Sequence, residues 1–443
     1  MNDADILPRL GAALRQKRLE AGFSQEQLAQ VSGVARSFII NVERGDTNLS
    51  ILNLSAITNA LGVDLATFMS GLKTPPPAPD IEDVGCLCED PIVTEGIVPD
   101  LFCDSLVEPP TNGALRSIDL FAGIGGIRMG FDQAFGNDIE TVFVSEWDSY
   151  AQKTYGTNFP SAQPINGDIT KIDEKDVPSF DICLAGFPCQ AFSLAGKRKG
   201  FDDDYKGMSR GTLFFDVARI CSHHRPKVIF CENVKGLTIH DKGKTFEIIK
   251  GTLEQMGYKV FHKVLNSKDF GVPQNRERIY IVSFREDIAP KEFHFPRASG
   301  KKVCIQDIME KDPVPAKYYL STQYIDTLRK HKERHAAKGN GFGYEIRPLD
   351  GIAGAIVCGG MGRERNLIID HRQTDLKPTT HIKGEVNQEG IRKMTPREWA
   401  RLQGFPDSYK LPLADVHLYK QFGNSVTVPV IRAIAEEIKK VIL

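Results

Sequence analysis

Apolar residues recur at helical spacing through the first seventy positions, at Leu10, Leu14, Leu28, Val31, Ile39, Val42, Leu54, Ile57 and Leu61. That spacing predicts a string of short helices. Ser24, with Gln27 three residues on, supplies a capping-box start; Gly33 interrupts, and a further helix over 35–43 ends at Gly45. Between Lys73 and about Ala114 the periodicity disappears among Pro75, Pro76, Pro77, Pro79, Pro109, Pro110 and several acids, the pattern of a linker. Short apolar runs then alternate with helical segments, at 117–121, 141–146, 181–186, 228–231, 260–265 and 279–283. Such βαβ alternation predicts an α/β fold with a doubly wound sheet. From about Pro290 to Pro412 the sequence turns glycine-rich and charged, as in Gly339-Asn-Gly341-Phe-Gly343, which predicts a separate, smaller domain. An apolar helix returns within 421–443. The expected division is 1–72 all-helical, 73–114 linker, 115–289 with 415–443 an α/β domain, and 290–414 a smaller domain.

Composition narrows the class without naming a function. The 443 residues are 41% hydrophobic and 26% charged, a globular mixture with room for about three domains. No apolar run approaches the ~18 residues of a membrane span, and a start carrying Asp3 and Asp5 does not read as a leader, so a cytosolic location is expected. Nine cysteines show no paired framework; Cys183, Cys221 and Cys231 fall inside apolar segments, and Cys86-x-Cys88 is too close for ordinary zinc ligation, so no metal is expected. With 56 Lys and Arg against 57 Asp and Glu, any nucleic-acid binding must come from local clusters such as 197–199, Arg363 with Arg365, or Arg392 with Lys393.

Three polar clusters stand at strand edges. Pro188-Cys189-Gln190 follows the run ending at Gly186, and a cysteine is already a few per cent ionised at neutral pH and strongly nucleophilic. Glu232-Asn233-Val234 ends the next apolar strand, and Gln274-Asn275-Arg276-Glu277-Arg278 leads into another. Upstream, Asp119 to Gly126 is a strand running into a glycine-rich turn, where backbone can approach a ligand closely. Its spacing is Gly123-x-Gly125-Gly126, with Arg128 where a dinucleotide fingerprint would place its third glycine, and no Gly-Lys-Ser/Thr follows. NAD and P-loop readings are both disfavoured. Glu146 closes the next strand, where an acid can accept from ribose hydroxyls; Trp147 offers a face to adenine, and Asp168 lies where it can hold an adenine amino group.

In this order the clusters resemble the DNA (cytosine-5) methyltransferase family from about Leu115 onward, with Gly423-Asn424-Ser425-Val426 as a further shared motif. The resemblance implies a Rossmann-like S-adenosylmethionine domain in which Phe121, Gly123, Gly125, Glu146, Trp147, Asp168, Leu213 and Asn424 hold the cofactor. It implies that the Cys189 thiolate adds to cytosine C6 while Glu232, at the N3 edge, supplies or shares a proton. Arg278 would donate to O2, and Arg276 would position loop and backbone. The target base must leave the duplex, the segment 191–211 is suited to close over it, and Arg363, Arg365 and Asn366 in the smaller domain are expected to reach base edges. Thr395-Pro-Arg397-Glu398 resembles the motif that braces that region. The implied target is a short palindromic duplex of GGNCC or CCNGG type, protected against a cognate restriction endonuclease that is a genetic partner only. Residues 6–70 resemble the lambda-repressor-like helix-turn-helix family, which would place Arg36, Ser37 and Asn41 in the major groove and Gln25 on backbone, acting as a homodimer on an operator to regulate transcription. Two other readings stand beside this one: a transcriptional regulator with a vestigial methyltransferase half, and a tRNA cytosine-5 methyltransferase.

Overall fold

A computed structural model describes residues 6–34, 36–43, 51–63, 68, 113–160, 164–188, 204–205, 208–209, 213–341, 343–359, 362–373 and 384–443. One compact unit lies at Met1–Ser105 with Asp204–Met208, and the other is built from Leu106–Asp203 and Ser209–Leu443.

The first unit contains helices α1 (Ile6–Glu20), α2 (Gln25–Ser32), α3 (Arg36–Glu43) and α4 (Ile51–Ala60). Leu10, Leu14, Leu28, Ile39, Val42, Leu54, Ile57 and Leu61 form its core, as the periodicity predicts. Ser24 and Gln27 make a reciprocal capping box, and Gly33 ends α2 at φ 68°, a left-handed turn that glycine adopts without penalty. Val31 departs from expectation and is 60% exposed. The inward stripe of α2 runs through Gln25, Leu28, Ala29 and Ser32, which leaves Val31 off that face. Arg18, itself buried, clamps α1 to α3 through Nε to Glu43 Oε1 at 2.5 Å and Nη2 to Oε2 at 2.9 Å.

The second unit is organised by a seven-stranded sheet. Its strands are β1 (Leu115–Leu120), β2 (Ile139–Ser145), β3 (Ile165–Asn166), β4 (Ile182–Ala185), β5 (Val228–Val234), β6 (Tyr258–Asn266) and β7 (Glu277–Arg285), in spatial order β3-β2-β1-β4-β5-β7-β6. β1 to β5 run parallel. β7 runs antiparallel to both β5 and β6. Alternation along β4 shows why both faces are covered: Ile182 and Leu184 point into one core, with Phe131, Phe230, Val430 and Ile434, while Cys183 and Ala185 point into the other, with Phe214, Val217, Ile220 and Ile249. The cores are covered in part by α5 (Gly126–Phe135), α7 (Leu213–His224) and α8 (Lys244–Gln255), while α6 (Ser149–Asn158) packs through Tyr155 against Ala122 and Val144.

The region expected as a smaller domain contains a helix that its charged sequence did not suggest, α9 (Thr322–Ala336), N-capped by Ser321 and anchored through Ile325 and Leu328. Leu367–Ile369 pairs antiparallel with Ile391–Lys393, and Ala353–Gly354 pairs with Gln274–Asn275. Helices α10 (Pro396–Leu402), α11 (Asp415–Asn424) and α12 (Val428–Ile442) follow. α12 lies against α5 at Gly130, where a Cβ would come within 2.5 Å of Ile431 Cγ2, so only glycine permits this crossing.

Candidate active site

The carboxyl ends of β1 and β2 build a cradle. β1 turns out of the sheet through Phe121, a non-glycine residue at φ 56°, and then through Gly123 at φ 55° and Gly125 at φ 79°. A left-handed phenylalanine costs on the order of 1–3 kcal/mol and persists only where its surroundings over-determine it, as they do at ligand sites. A Cβ on Gly125 would meet the Phe159 ring at 2.2 Å, whereas one on Gly123 would find nothing nearer than 3.9 Å, so backbone borders open space there. Glu146, buried at the end of β2, accepts from the amides of Gly123 and Asp148, each at 2.8 Å. Burial raises its pKa and those amides pull it back. Trp147 beside it is 52% exposed, an indole face not covered by the protein. Asp168 caps the turn after β3 through Thr170, Asn424 is exposed at the end of α11, and Leu213 heads α7 inside the core. An acid positioned for ribose hydroxyls, a bare indole and a strained glycine turn fit a nucleoside ligand.

Behind the turn, the sequence reading missed a buried ionic chain. Arg128 Nη1 donates to Tyr155 Oη at 3.1 Å, and Tyr155 donates to Asp119 Oδ2 at 3.1 Å. The Arg128 guanidinium also stacks over Phe159, 4.6 Å from the ring centroid. The residue that departs from the dinucleotide fingerprint thus packs the underside of the glycine turn. Burial pushes the Asp119 carboxyl up to about 7, against the pull of Arg128 and Tyr155.

The second cluster lies at the ends of β5 and β7. Tyr280 pairs with Glu232 and Arg278 with Val234, which puts the Glu232 and Arg278 side chains on one face of the sheet. Arg278 Nε lies 3.3 Å from Glu232 Oε1. Burial raises the Glu232 pKa, opposed by Arg278 and Arg276. Asn233 donates from Nδ2 to the Phe187 carbonyl at 3.2 Å and so ties the end of β5 to the segment that leads into Cys189. Cys189 itself, with the 191–211 segment, falls outside the described residues apart from short strand pieces at 204–205 and 208–209.

Arg276 is buried and faces away from such chemistry. Its Nη1 donates to the Ile356 carbonyl at 2.8 Å, and its Nη2 to the carbonyls of Ser425 at 2.6 Å and Gly423 at 3.4 Å, a brace joining three segments. Two glutamines complete the brace. Gln274 donates to the Leu402 carbonyl at 2.9 Å and accepts from the Ile356 amide at 3.0 Å. Gln403 donates to the Phe422 carbonyl at 2.8 Å and accepts from Thr427 at 2.9 Å. Gln403 carried no sequence signal, because a polar residue at a helix end reads as a solvated cap.

The expected DNA contacts divide. Arg363 is exposed over the Tyr419 ring, 5.4 Å from its centroid, and Arg365 is half-buried beside it. Asn366, expected with them at a reading surface, is instead fully buried, its Oδ1 accepting from the Gly354 amide at 2.8 Å. Arg392, expected in a surface basic cluster, is also fully buried, because Glu398 and Asp370 together supply three carboxylate contacts at 2.7 to 2.9 Å. Its neighbour Lys393 is paired with Glu364 at 3.4 Å. The motif at Thr395 forms a capping box with Glu398 at the start of α10, and Thr395 also bonds Glu310 at 2.9 Å. In the helical unit the Gln25 amide donates to Glu43 at 2.9 Å; the side chains of Arg36, Ser37 and Asn41, and residues 197–199, fall outside the described part. Among the described residues no group of three or more His, Cys, Asp or Glu could hold a metal, and no helix is long and apolar enough to cross a membrane.

Residues 115–440 match the family described as C-5 cytosine-specific DNA methylase, and residues 14–68 match a helix-turn-helix family. Type II methyltransferase M.HpaII of Haemophilus parainfluenzae is 60% identical over 342 residues, which are 75% of this chain and 93% of that protein. Type II methyltransferase M1.ScrFI of Lactococcus lactis subsp. cremoris is 39% identical over 434 residues, 97% of this chain and 95% of that protein. The crystal structure of the S. pombe Dnmt2 methyltransferase superposes with a TM-score of 0.56 at 19% identity, covering 74% of this chain and 100% of that one, a likeness of fold.

Proposed function

We propose how this chain, which belongs to the C-5 cytosine-specific DNA methylase family and is a DNA (cytosine-5-)-methyltransferase, performs its reaction and where it acts. Membership of a family of DNA enzymes removes tRNA as the reading to pursue. S-adenosylmethionine, held by Phe121, Gly123, Gly125, Glu146, Trp147, Asp168, Leu213 and Asn424, supplies an electrophilic methyl group. Cytosine C5 is a poor nucleophile while its electrons belong to the ring. Addition of the Cys189 thiolate to C6 breaks that aromaticity, and Glu232 shares a proton with N3, which makes C5 enamine-like. Arg278 stabilises charge developing at O2 and orients Glu232; Arg276 is a positioning residue. The C5–CH3 bond would form as the donor's S–CH3 bond breaks to leave a neutral thioether; loss of the C5 proton to water then lets the C6–S bond break and return the thiolate, while the N3 proton goes back to Glu232. The base is extruded for this, at a cost of a few kcal/mol.

The observation that carries this reading is Glu232: buried, beside Arg278, with a raised pKa, and linked through Asn233 to the Cys189 segment. A carboxyl of that kind can hold a proton toward neutral pH. The relatives' designation as type II methyltransferases supports protection of a short palindromic site against a cognate endonuclease, and a bacterial cytosolic setting. On this reading residues 290–414 recognise the site, with Arg363 and Arg365 among the readers, 115–289 with 415–443 carry the chemistry, and 1–72 bind an operator as a dimer through Gln25, Arg36, Ser37 and Asn41 to restrain transcription. Bisulfite sequencing of host DNA expressing the chain tests activity and target together. Cys189→Ser is expected to abolish methylation and to leave binding to the chain's own upstream DNA intact; loss of both in folded protein overturns the division of labour.

A further inference from the structure

The formal charge of the chain is −1, so grip on a polyanion must come from local surfaces, and the structure removes Arg392 and Lys393 from those the sequence offered. It supplies another on α9. Ile325 and Leu328 define the buried side of this helix. On the opposite side lie Gln323, Thr327, Lys330 and Arg334, and Lys338 extends the row into the following turn; all five are exposed. Lys330, Arg334 and Lys338 follow at four-residue steps, about 6 Å apart on a helix. Arg329 is not part of the row, since Glu389 holds it at 2.7 Å and Asp326 at 3.3 Å. The row is longer than the last helical turn, where complementing the helix dipole would account for cations. Two of the three, Arg334 and Lys338, also help lower the pKa of His335, after burial and His331.

The helix starts at the turn that carries Arg363 and Arg365. Tyr324 donates to Glu364 Oε1 at 3.3 Å, and Lys393 reaches the same carboxylate at 3.4 Å. Lys330, Arg334 and Lys338 follow Tyr324 along α9 by about 9, 15 and 21 Å at 1.5 Å per residue, so the row lies roughly three to six base-pair steps from that turn if measured at 3.4 Å per step. We propose that Lys330, Arg334 and Lys338 of α9 form an outrigger that grips the phosphate backbone of duplex DNA flanking the methylation site, adding affinity without reading sequence. The proposal rests on residues 290–414 being the recognition region. A flank-phosphate grip predicts a length dependence that a contact within the site does not.

The test uses the full chain and two duplexes carrying the target mapped by bisulfite sequencing, one with flanks of about 2 base pairs and one with flanks of about 12. For the K330Q/R334Q/K338Q variant, KM for the long duplex is expected to rise about tenfold or more at 0.15 M salt, and the slope of log KM against log salt to fall by about 2 to 3, near 0.9 per lost phosphate contact. KM for the short duplex should change less than twofold, and the charge-conserving K330R/R334K/K338R variant should behave as wild type on both. An unchanged KM on the long duplex, an equal rise on both duplexes, or failure of the charge-conserving variant overturns the outrigger. R363Q/R365Q serves as the separate arm: site preference surviving it on both duplexes sinks the assignment of those arginines as readers and leaves the length dependence to judge α9.

Discussion

Glu232 and Asp119 are both buried carboxyls whose pKa values are raised, and pH should act on them in different observables. On the proposed mechanism Glu232 is a proton source, so activity should be retained below its raised pKa and decline as pH climbs through it. Glu232→Gln keeps the shape and removes the titrating proton, and kcat should fall by about 10²- to 10⁴-fold with the alkaline limb of the pH profile abolished. A variant that keeps that limb would assign the titration elsewhere. Asp119 is buried against Tyr155, and its titration should be read in stability. Its folded pKa of about 7 exceeds the ordinary 3.8, so its contribution is complete below about pH 4 and is lost as pH rises to about 7. In urea unfolding, the advantage of wild type over Asp119→Asn should therefore shrink by on the order of 2–4 kcal/mol between pH 4 and pH 8. A difference independent of pH would mean that the carboxyl titrates normally. Residue types at the strand ends were legible because the chemistry restricts them. Their partners were not: the family resemblance expected Arg276 to position backbone, but nothing in the string named the carbonyls of Ile356, Gly423 and Ser425 as its acceptors.

At the scale of elements, two contacts determine how segments far apart in sequence meet. The α5–α12 crossing depends on the missing side chain of Gly130. Gly130→Ala would drive a methyl group into Ile431 and should destabilise by about 1–3 kcal/mol through overpacking, read as a lower denaturation midpoint. Glu398 neutralises the fully buried Arg392 and also caps α10. Glu398→Ala would leave the buried Arg392 with Asp370 as its one remaining carboxylate, at a cost of about 2–4 kcal/mol, more than loss of the cap alone at about 1. Midpoint shifts no larger than those of an exposed control such as Arg432→Ala would contradict both assignments. The strands of the α/β sheet were visible in sequence as apolar runs, because a sheet buried on both faces needs them. The reversal of β7 was not, since strand direction leaves residue period untouched. α9 was hidden because only Ile325 and Leu328 of its fifteen residues are buried, too few to register as a stripe.

For the whole molecule, the C-5 cytosine-specific DNA methylase match begins at residue 115, beyond the helical unit, and three quarters of the chain corresponds to nearly all of the Haemophilus relative. A chain lacking residues 1–72 should accordingly methylate its target with kcat within a few-fold of the full chain, while upstream DNA is no longer shifted in a gel. Loss of methylation by that chain, with its circular dichroism intact, would show that the two units depend on each other. The brace around Arg276 has another consequence, for the time at which the protein becomes active. Its acceptors at Gly423 and Ser425, and the helix that covers α5, are translated after β7 and Arg276 itself. A ribosome halted before residue 415 would release a product with α1–α4 made and the Arg276 brace unfinished, so on the proposed reading premature termination would yield a fragment that binds its operator without modifying DNA.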